Sequence, residues 1–333
     1  MAVQPTDLLR VEGLRTQFFT RHGTATAVND VDFALSKGER LGLVGESGSG
    51  KSVTALSIMR LVRDPPGRIV AGRIVFEGRD LLALDAASMR ELRGDRISMI
   101  FQDPVNHLDP VMTAGDWIAE SLGWHRGFGR KAAIAEVHRL LRLLKVPSPD
   151  DVLRAYPYQL SGGMCQRVLI ATAIATEPSL IIADEATSAL DATVQASILR
   201  TLNELSEALG TAMLITTHNM LVVRKACTRV MVMYAGRIVE SCDTERLFGA
   251  PMHPYTNGLL NSRPALDSIG RPLTPMPGEP PLPTVDLPGC AFYARCPARR
   301  PICRGQRPPL REVQPGHWSA CFFPEDANRH PDS

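Results

Sequence analysis

Aromatic residues make up only 5% of this 333-residue chain. That leaves little material for the stacked platforms on which single-stranded nucleic acids are held. No apolar run approaches the roughly 20 residues of a membrane-spanning helix. The opening stretch, Met1 to Asp7, lacks the basic and apolar regions of a secretory signal. The chain is therefore expected to stay in the cytoplasm, with any membrane role reached through a partner. Charge of one sign is also missing. Lys and Arg number 37 against 35 Asp and Glu, a net charge of +2, so no strongly electrostatic partner such as nucleic acid is expected. There is no internal repeat and no low-complexity tract apart from one proline-rich stretch. What remains is ordinary globular composition, 44% apolar and 22% charged. The length suffices for one large domain and a smaller one. Seven cysteines in a cytosolic chain are not expected to form disulfides.

One stretch organises the rest: Gly45-Glu46-Ser47-Gly48-Ser49-Gly50-Lys51-Ser52. It fits G-x-x-x-x-G-K-[ST], the phosphate-binding loop, and it lies in the context that motif requires. Arg40 to Val44 reads as a short buried strand before it, and Val53 to Leu61 as the start of a helix after it. The glycines let successive backbone N–H groups point inward as an anion nest, and the helix N-terminus adds positive partial charge. Lys51 would carry a full charge to the β- and γ-phosphates, and the Ser52 hydroxyl is suited to Mg²⁺.

Residues 8–44 alternate as β-strands, with Val31, Phe33 and Leu35 on one face and turns at 21–23 and 36–38. Gly72 to Gly78 reads as a further strand, Ala86 to Arg93 as a short helix and Ile97 to Phe101 as an apolar strand ending at Gln102. The pattern then becomes helical. Thr113 is a candidate N-cap, and Ile134, Val137, Leu140, Leu141 and Leu144 form a stripe at helical spacing, ended by Pro147 and Pro149. About 113–156 is read as a helical insertion. Alternation of strand and helix returns with a helix from Ser161 to Ala175 and the strand Leu180 to Glu185. A helix from Ala192 to Leu209, the strand Ala212 to Thr216 and a hairpin over 229–241 follow. Such alternation argues for a mostly parallel sheet covered on both faces, with ligands beyond the strands' carboxyl ends. Gly45, Gln102, Asp184 and His218 each follow a strand end, so one site can collect them.

Two further elements carry chemistry. Leu180 to Ala183 followed by Asp184-Glu185 places paired acids on a buried strand end, which is costly unless a cation or water compensates them. Leu160 to Arg167 holds Ser161-Gly162-Gly163 at a helix start, a second anion nest upstream of those acids. In this order and spacing the chain closely resembles the ATP-binding subunits of ABC transporters over about residues 8–262. The resemblance implies an α/β fold, a P-loop NTPase core of ABC type. It would have a mostly parallel sheet, an antiparallel β-subdomain, a helical subdomain and a small cysteine-containing C-terminal extension. It also implies roles. Gly45 to Ser52 would bind ATP, with Gln102 as the Q-loop glutamine and Ser161 to Met164 as the signature. Asp184 would hold Mg²⁺ with Ser52 and Gln102, and Glu185 would be the catalytic carboxylate. Ser188 to Asp191 would form the D-loop, with Asp191 near nucleotide, and His218 and Lys51 would contact the γ-phosphate. Phe18 falls where the family stacks an aromatic on adenine, with a core phenylalanine as the competing reading of the residue alone. The family works as head-to-tail pairs of cassettes, each ATP lying between one phosphate loop and the partner's signature.

A narrower resemblance, to the oligopeptide/dipeptide importers and their nickel and glutathione relatives, lies at Pro251 to Thr256, Pro277 to Pro281 and Gly289 to Phe322. It implies an ATP-binding domain over 1–262, a proline-rich linker over 263–288 and a cysteine module and tail over 289–333. The linker reading rests on eight prolines from Pro264 to Pro288. Cys290, Cys296, Cys303 and Cys321 suit a [4Fe–4S] cluster, which relatives in this branch carry; zinc, disulfides and unligated thiols stay open. Six arginines and one acid over 290–323 would offset an anionic cluster. Cys165, Cys227 and Cys242 are read as small core or surface residues. Two departures from the family stand out: Ala186 where proline is usual, expected to loosen the turn aiming Glu185, and Cys165 where a polar residue is usual, expected to weaken partner contacts. The expected protein is an ATPase powering uptake of peptides or a related solute at the cytoplasmic face of a bacterial inner membrane. Its partners would be a second ATPase subunit (copy or paralogue), two permease subunits and, indirectly, a periplasmic solute-binding protein. A soluble ABC ATPase of translation or repair is the rival reading, against which stand the single cassette and short insertion. A non-hydrolytic regulator is the other, against which stand Glu185 and His218.

Overall fold

The computed structural model describes residues 7–186, 191–262, 276–284 and 287–327. Ser188, Ala189 and Leu190 of the expected D-loop, much of the proline-rich connection and the last residues lie outside that set. Two strands, β1 (Asp7–Thr20) and β2 (Gly23–Ser36), pair as a long antiparallel hairpin. β3 (Arg40–Val44) leads through the phosphate loop into α1 (Lys51–Ile58). β4 (Gly67–Phe76) and β5 (Arg79–Asp80) return to the hairpin, giving a four-stranded sheet in the order β2-β1-β4-β5. β4 begins upstream of the expected Gly72. That glycine sits inside the strand at φ +106°, where a Cβ would lie 2.6 Å from Leu14 Cα, opposite a register shift between Glu12 and Arg15. It marks a bulge and not a strand start.

α2 (Ala86–Leu92), capped by Asp85, precedes β6 (Ile97–Ile100). The helical segment holds α3 (Ala114–Arg126), α4 (Arg130–Leu143) and α5 (Pro149–Arg154). Thr113 caps α3 as expected, its Oγ1 accepting from Asp116 N at 3.2 Å. α4 buries Ala133, Val137, Leu140 and Leu141, while Ile134 is only half-buried. The helix stops before Pro147, and Pro149 opens α5 where it was expected to close α4. Proline at a first helical position costs nothing, since its missing N–H would have had no partner there.

The remaining elements are α6 (Gly162–Ile174), β7 (Leu180–Asp184), α7 (Ala192–Leu209), β8 (Ala212–Thr217), α8 (Met220–Ala226), β9 (Arg229–Tyr234) and β10 (Arg237–Asp243). α9 (Thr244–Gly249), α10 (Pro254–Asn261), α11 (Pro301–Gly305), β11 (Arg311–Gln314) and β12 (His317–Ser319) complete the chain. The second sheet has eight strands in the order β11-β12-β10-β9-β3-β8-β7-β6. β9, β3, β8, β7 and β6 run parallel, and β10, β12 and β11 continue antiparallel at one edge. The parallel strands are buried on both faces, and their side chains sort by period two. Leu180, Ile182, Leu214, Met231 and Met233 join the core shared with the four-stranded sheet. Ile181, Ala183, Ile215, Val230 and Val232 join the core shared with the helices. Phosphate loop, paired acids and His218 thus leave one sheet edge together, as strand ends in register.

The C-terminal segment does not stand apart. β12 pairs with β10 at Glu240–Ser319 and Ser241–Trp318, so it extends the central sheet. Beneath that pairing, His317 Nε2 and Glu240 Oε1 meet at 2.7 Å with both side chains at or below 1% exposure. Glu240 Oε1 also accepts from Met252 N at 2.6 Å. Among the described residues no helix is long and apolar enough to cross a membrane. Truncating His317 leaves a buried carboxylate with the Met252 N–H as its remaining bond. His317→Ala is expected to lower unfolding free energy by about 3–5 kcal/mol, read from urea denaturation; a loss under about 1 kcal/mol would show that the pair does not anchor the C-terminal strands.

Candidate functional site

The loop between β3 and α1 is shaped by close backbone approaches. Gly50 caps α1 at φ +110°, and a Cβ there would lie 2.3 Å from Ala27 O. A Cβ on Gly45 would lie 2.2 Å from Met233 O. Neither position admits a side chain without backbone displacement. The loop closes around Lys51, whose Nζ donates to Gly45 O and Glu46 O, each at 2.9 Å. Lys51 is 4% exposed. Burial pulls its pKa below the ordinary lysine value, while the carboxylates of Glu185, Asp184 and Glu46 pull it back up.

Opposite Lys51 stand the two acids. Asp184 ends β7 inside the site and takes a hydrogen bond from Ser52 Oγ at 2.9 Å and another from Thr216 Oγ1. Burial raises its pKa above the usual carboxylate range, against the two hydroxyl bonds, which lower it. A buried carboxylate beside a hydroxyl, both hard oxygen donors, fits a divalent cation such as Mg²⁺. Glu185 turns off the strand at φ +46°, in the left-handed region, held by its own N–H to Thr216 O at 3.0 Å. That turn presents its carboxylate to two partners: Gln102 Nε2 donates to Oε2 at 3.0 Å, and His218 Nδ1 meets Oε1 at 3.1 Å. Gln102 and His218 come from the loops after β6 and β8, so three strand ends meet on one carboxylate. Ala186 is buried in the helical core, next to the turn at which Glu185 N–H bonds Thr216 O.

A cavity of about 740 Å³ connects these groups, lined by the loop from Gly45 to Gly48, by Gly50, Lys51 and Ser52, and by Gln102, Glu185 and His218. Ser49 is largely buried beneath it, with its hydroxyl 3.5 Å from Lys51 Nζ. Phe18 does not line this cavity; a Cβ on Gly67 would touch its ring edge at 2.8 Å, beside Val62. Nor do Ser161, Gly162 and Gly163, which lie at the start of α6, on or near the surface, with Ser161 Oγ accepting from Met164 N at 3.3 Å. Asp191 is exposed and caps α7, accepting from Thr193 N at 3.1 Å and Val194 N at 2.9 Å. Cys165 is fully buried, with Sγ toward Pro157 O at 3.5 Å, so its effect falls on the interior of the helical segment and not on an exposed contact face. Cys227 and Cys242 are likewise core residues.

The geometry adds residues that sequence reading passed over. Thr216 was read only as a strand residue. Tyr255 OH accepts from Glu46 N at 2.8 Å, and Arg295 reaches both carboxylate oxygens of Glu46, at 2.7 and 2.9 Å. The single signal for Tyr255 was its place in Pro251 to Thr256, and for Arg295 its place among the six arginines over 290–323. Cys290, Cys296, Cys303 and Cys321 line one small void with His253, Phe292 and Phe323. Burial, reinforced by neighbouring cysteines, pushes Cys296 up to about 12 and Cys321 up to about 11. A second group of possible ligands, Glu240, Cys242 and His317, lies buried within 4.8 Å. There His317 Nε2 already meets Glu240 Oε1 at 2.7 Å, while Glu240 Oε2 is buried without a hydrogen-bond partner.

Comparison with known proteins gives consistent matches. The ABC transporter family matches residues 28–188, and the family "Oligopeptide/dipeptide transporter, C-terminal region" matches residues 239–303. The chain is 46% identical to the oligopeptide transport ATP-binding protein OppD of Escherichia coli, over 97% of this chain and 96% of that one. It is 43% identical to the dipeptide transport ATP-binding protein DppD of Bacillus subtilis, over 97% and 96%. Among solved structures, it resembles the dimeric post-hydrolysis state of the ATP-binding cassette MJ0796 bound to ADP and Pi. That match has a TM-score of 0.65 and 26% identity, over 71% of this chain and 98% of the other.

The close approach at Gly50 sets a test of the loop. Gly50→Ala must place a side chain at left-handed φ, which costs about 1–2 kcal/mol before any clash. A lower denaturation midpoint is therefore expected, and an unchanged one would show that the loop tolerates a Cβ.

Proposed function

The chain belongs to the ABC transporter ATP-binding family, in its oligopeptide/dipeptide branch, and from that footing we propose how its site serves an ATPase subunit of a peptide importer. The supporting observation is the convergence of Lys51, Ser52, Gln102, Glu185 and His218 on one cavity, with Asp184 bonded to Ser52 behind it, while Ser161 to Gly163 stay outside it. One chain supplies the phosphate loop and the hydrolytic groups, and a second cassette supplies the signature. The second cassette is a copy or a paralogue.

ATP enters with its phosphates on the amides of Gly48 to Ser52 and the N-terminus of α1. Lys51 exchanges its bonds to Gly45 O and Glu46 O for the β- and γ-phosphates. Ser52, Asp184 and Gln102 supply the oxygens for Mg²⁺, which when bound neutralises charge on the β- and γ-phosphates. Glu185, steadied by Gln102 and His218, polarises a water for in-line attack. The water oxygen bonds to the γ-phosphorus, the bond to the ADP oxygen breaks, and Glu185 receives the proton. His218 then bears on the γ-phosphate. Phe18 meets adenine from the edge of the hairpin, and Asp191 acts across the cassette interface.

The subunit works at the cytoplasmic face of a bacterial inner membrane, docked on two permease subunits. A solute-binding protein outside that membrane selects the peptide. Support comes from exposed apolar residues beside the Gln102 loop and the helical segment: Val105 at 51%, Val111 at 79% and Trp124 at 75% exposure. The four-cysteine segment holds a [4Fe–4S] cluster. Among the described residues no three of its sulfurs lie within 4.8 Å of one another. A single zinc, with Zn–S of about 2.3 Å, draws its sulfurs to about 3.8 Å apart, so a wider metal group suits the sulfur spacing better. The cluster supplies a structural staple to a segment with little core of its own.

Glu185→Gln is expected to keep ATP affinity within a few-fold, to lower hydrolysis at least about 100-fold and to abolish uptake of labelled di- and oligopeptides. Hydrolysis at the wild-type rate would overturn the assignment of the base, and uptake of nickel or glutathione in place of peptides would overturn the solute class. Anaerobically purified protein is expected to show broad visible absorption and about four irons per chain; full zinc occupancy without that absorption would sink the cluster.

A further inference from the structure

The phosphate loop is gripped from outside the nucleotide-binding core. Glu46 is held at three points. Its N–H donates to Tyr255 OH at 2.8 Å, its carbonyl accepts from Lys51 Nζ at 2.9 Å, and its carboxylate takes a two-pronged pair of bonds from Arg295 at 2.7 and 2.9 Å. Arg295 lies 249 positions away along the chain. Its side chain is 4% exposed, its Nε donates to Pro277 O at 3.0 Å, and its guanidinium lies within 6 Å of the Tyr234 and Phe292 rings, at 5.8 and 5.9 Å. A planar fork fixed on every side transmits displacement better than a flexible ammonium would.

Arg295 ends the 3-10 turn Tyr293–Arg295, which lies between Cys290 and Cys296. That turn has no slack. Cys290 N donates to Cys303 O at 2.8 Å, and a Cβ on Gly289 would lie 2.4 Å from the same carbonyl. The turn that carries Arg295 is thus flanked by two of the four sulfurs and joined through the guanidinium to Glu46. The Glu46 carbonyl is itself one of the two acceptors that place Lys51.

We propose that Arg295 is a positioning residue for nucleotide binding, through which the four-cysteine segment sets the phosphate loop's affinity for a nucleoside triphosphate. The proposal rests on the reading of the 740 Å³ cavity as the ATP site. It assigns the segment a part in the ATPase cycle beyond stapling the chain's end.

The test is equilibrium binding of a fluorescent ATP analogue, mant-ATP, to the full chain purified anaerobically. Wild type is compared with Arg295→Met, Arg295→Lys, Glu46→Gln and the Arg295→Met/Glu46→Gln double variant. Arg295→Met is expected to weaken binding about 10- to 100-fold, with Arg295→Lys recovering part of the loss. In the Glu46→Gln background the same change is expected to cost under about twofold, because the pair is already broken. Treatment with an iron chelator under reducing conditions is expected to weaken wild-type binding by a similar factor and to leave Arg295→Met and Glu46→Gln nearly unaffected. Wild-type affinity in Arg295→Met, single losses that multiply in the double variant, or equal chelator sensitivity in wild type and variants would each overturn the proposal. Should Arg295→Met fail to fold, Glu46→Gln, at a 29% exposed side chain, decides the chelator arm alone. Failure of wild type itself to bind mant-ATP would overturn the nucleotide reading together with the proposal, whereas normal wild-type binding with indifferent variants overturns the proposal only.

Discussion

A buried ammonium sets the terms of this structure. Lys51 loses hydration at the centre of the phosphate loop, and desolvation alone would favour its neutral form. Three carboxylates, on Glu185, Asp184 and Glu46, hold the charge in place. Two backbone carbonyls accept the hydrogen bonds that water would otherwise take. Asp184 shows the opposite side of the balance: burial disfavours its charge and raises its pKa, against two hydroxyl donors and the lysine. Each group has its own hydrogen-bond partners, and each charge also favours the other across the site. The arrangement therefore favours a ligand that brings both phosphate oxygens and a divalent cation at once.

That balance requires strand ends to arrive together, which is the work of the parallel sheet. β3, β8 and β7 are in register through Val44, Thr217, Thr216 and Asp184. Glu185 then leaves the sheet at a positive φ, an unfavourable conformation made tolerable by one backbone hydrogen bond to the neighbouring strand. The result is a carboxylate aimed into the cavity from a rigid element, flanked by an amide and an imidazole from adjacent loops. Precision at the reacting groups comes from sheet geometry more than from the loops that carry them.

The same sheet binds the C-terminal segment to the nucleotide site. β10 receives β12 at its free edge, and the Glu240–His317 pair is sealed beneath the junction. Tyr234 at the end of β9 and Tyr255 on α10 pack against Phe292, at ring distances of 5.3 and 5.5 Å. A segment too small for a core of its own thus shares the core of the larger fold, and its cysteines come to lie behind the phosphate loop.

Sequence by itself determined the elements whose signal is local. The phosphate loop is contiguous, the paired acids end an apolar run, and the alternation of strand and helix fixes a covered parallel sheet, because period and spacing are properties of neighbouring residues. The boundaries that shifted did so for contextual reasons: Gly72 bulges only because β1 lies against it, and Pro149 starts a helix only because α4 has already turned away at Lys145. Tertiary structure alone decided that Thr216 bonds Asp184, that Phe18 lies outside the cavity lining, and that Arg295 and Glu46 form a pair across 249 positions. Such contacts leave no periodic trace in a chain. They arise when buried polar groups, unable to reach water, must take whichever partners the packed sheet brings within reach.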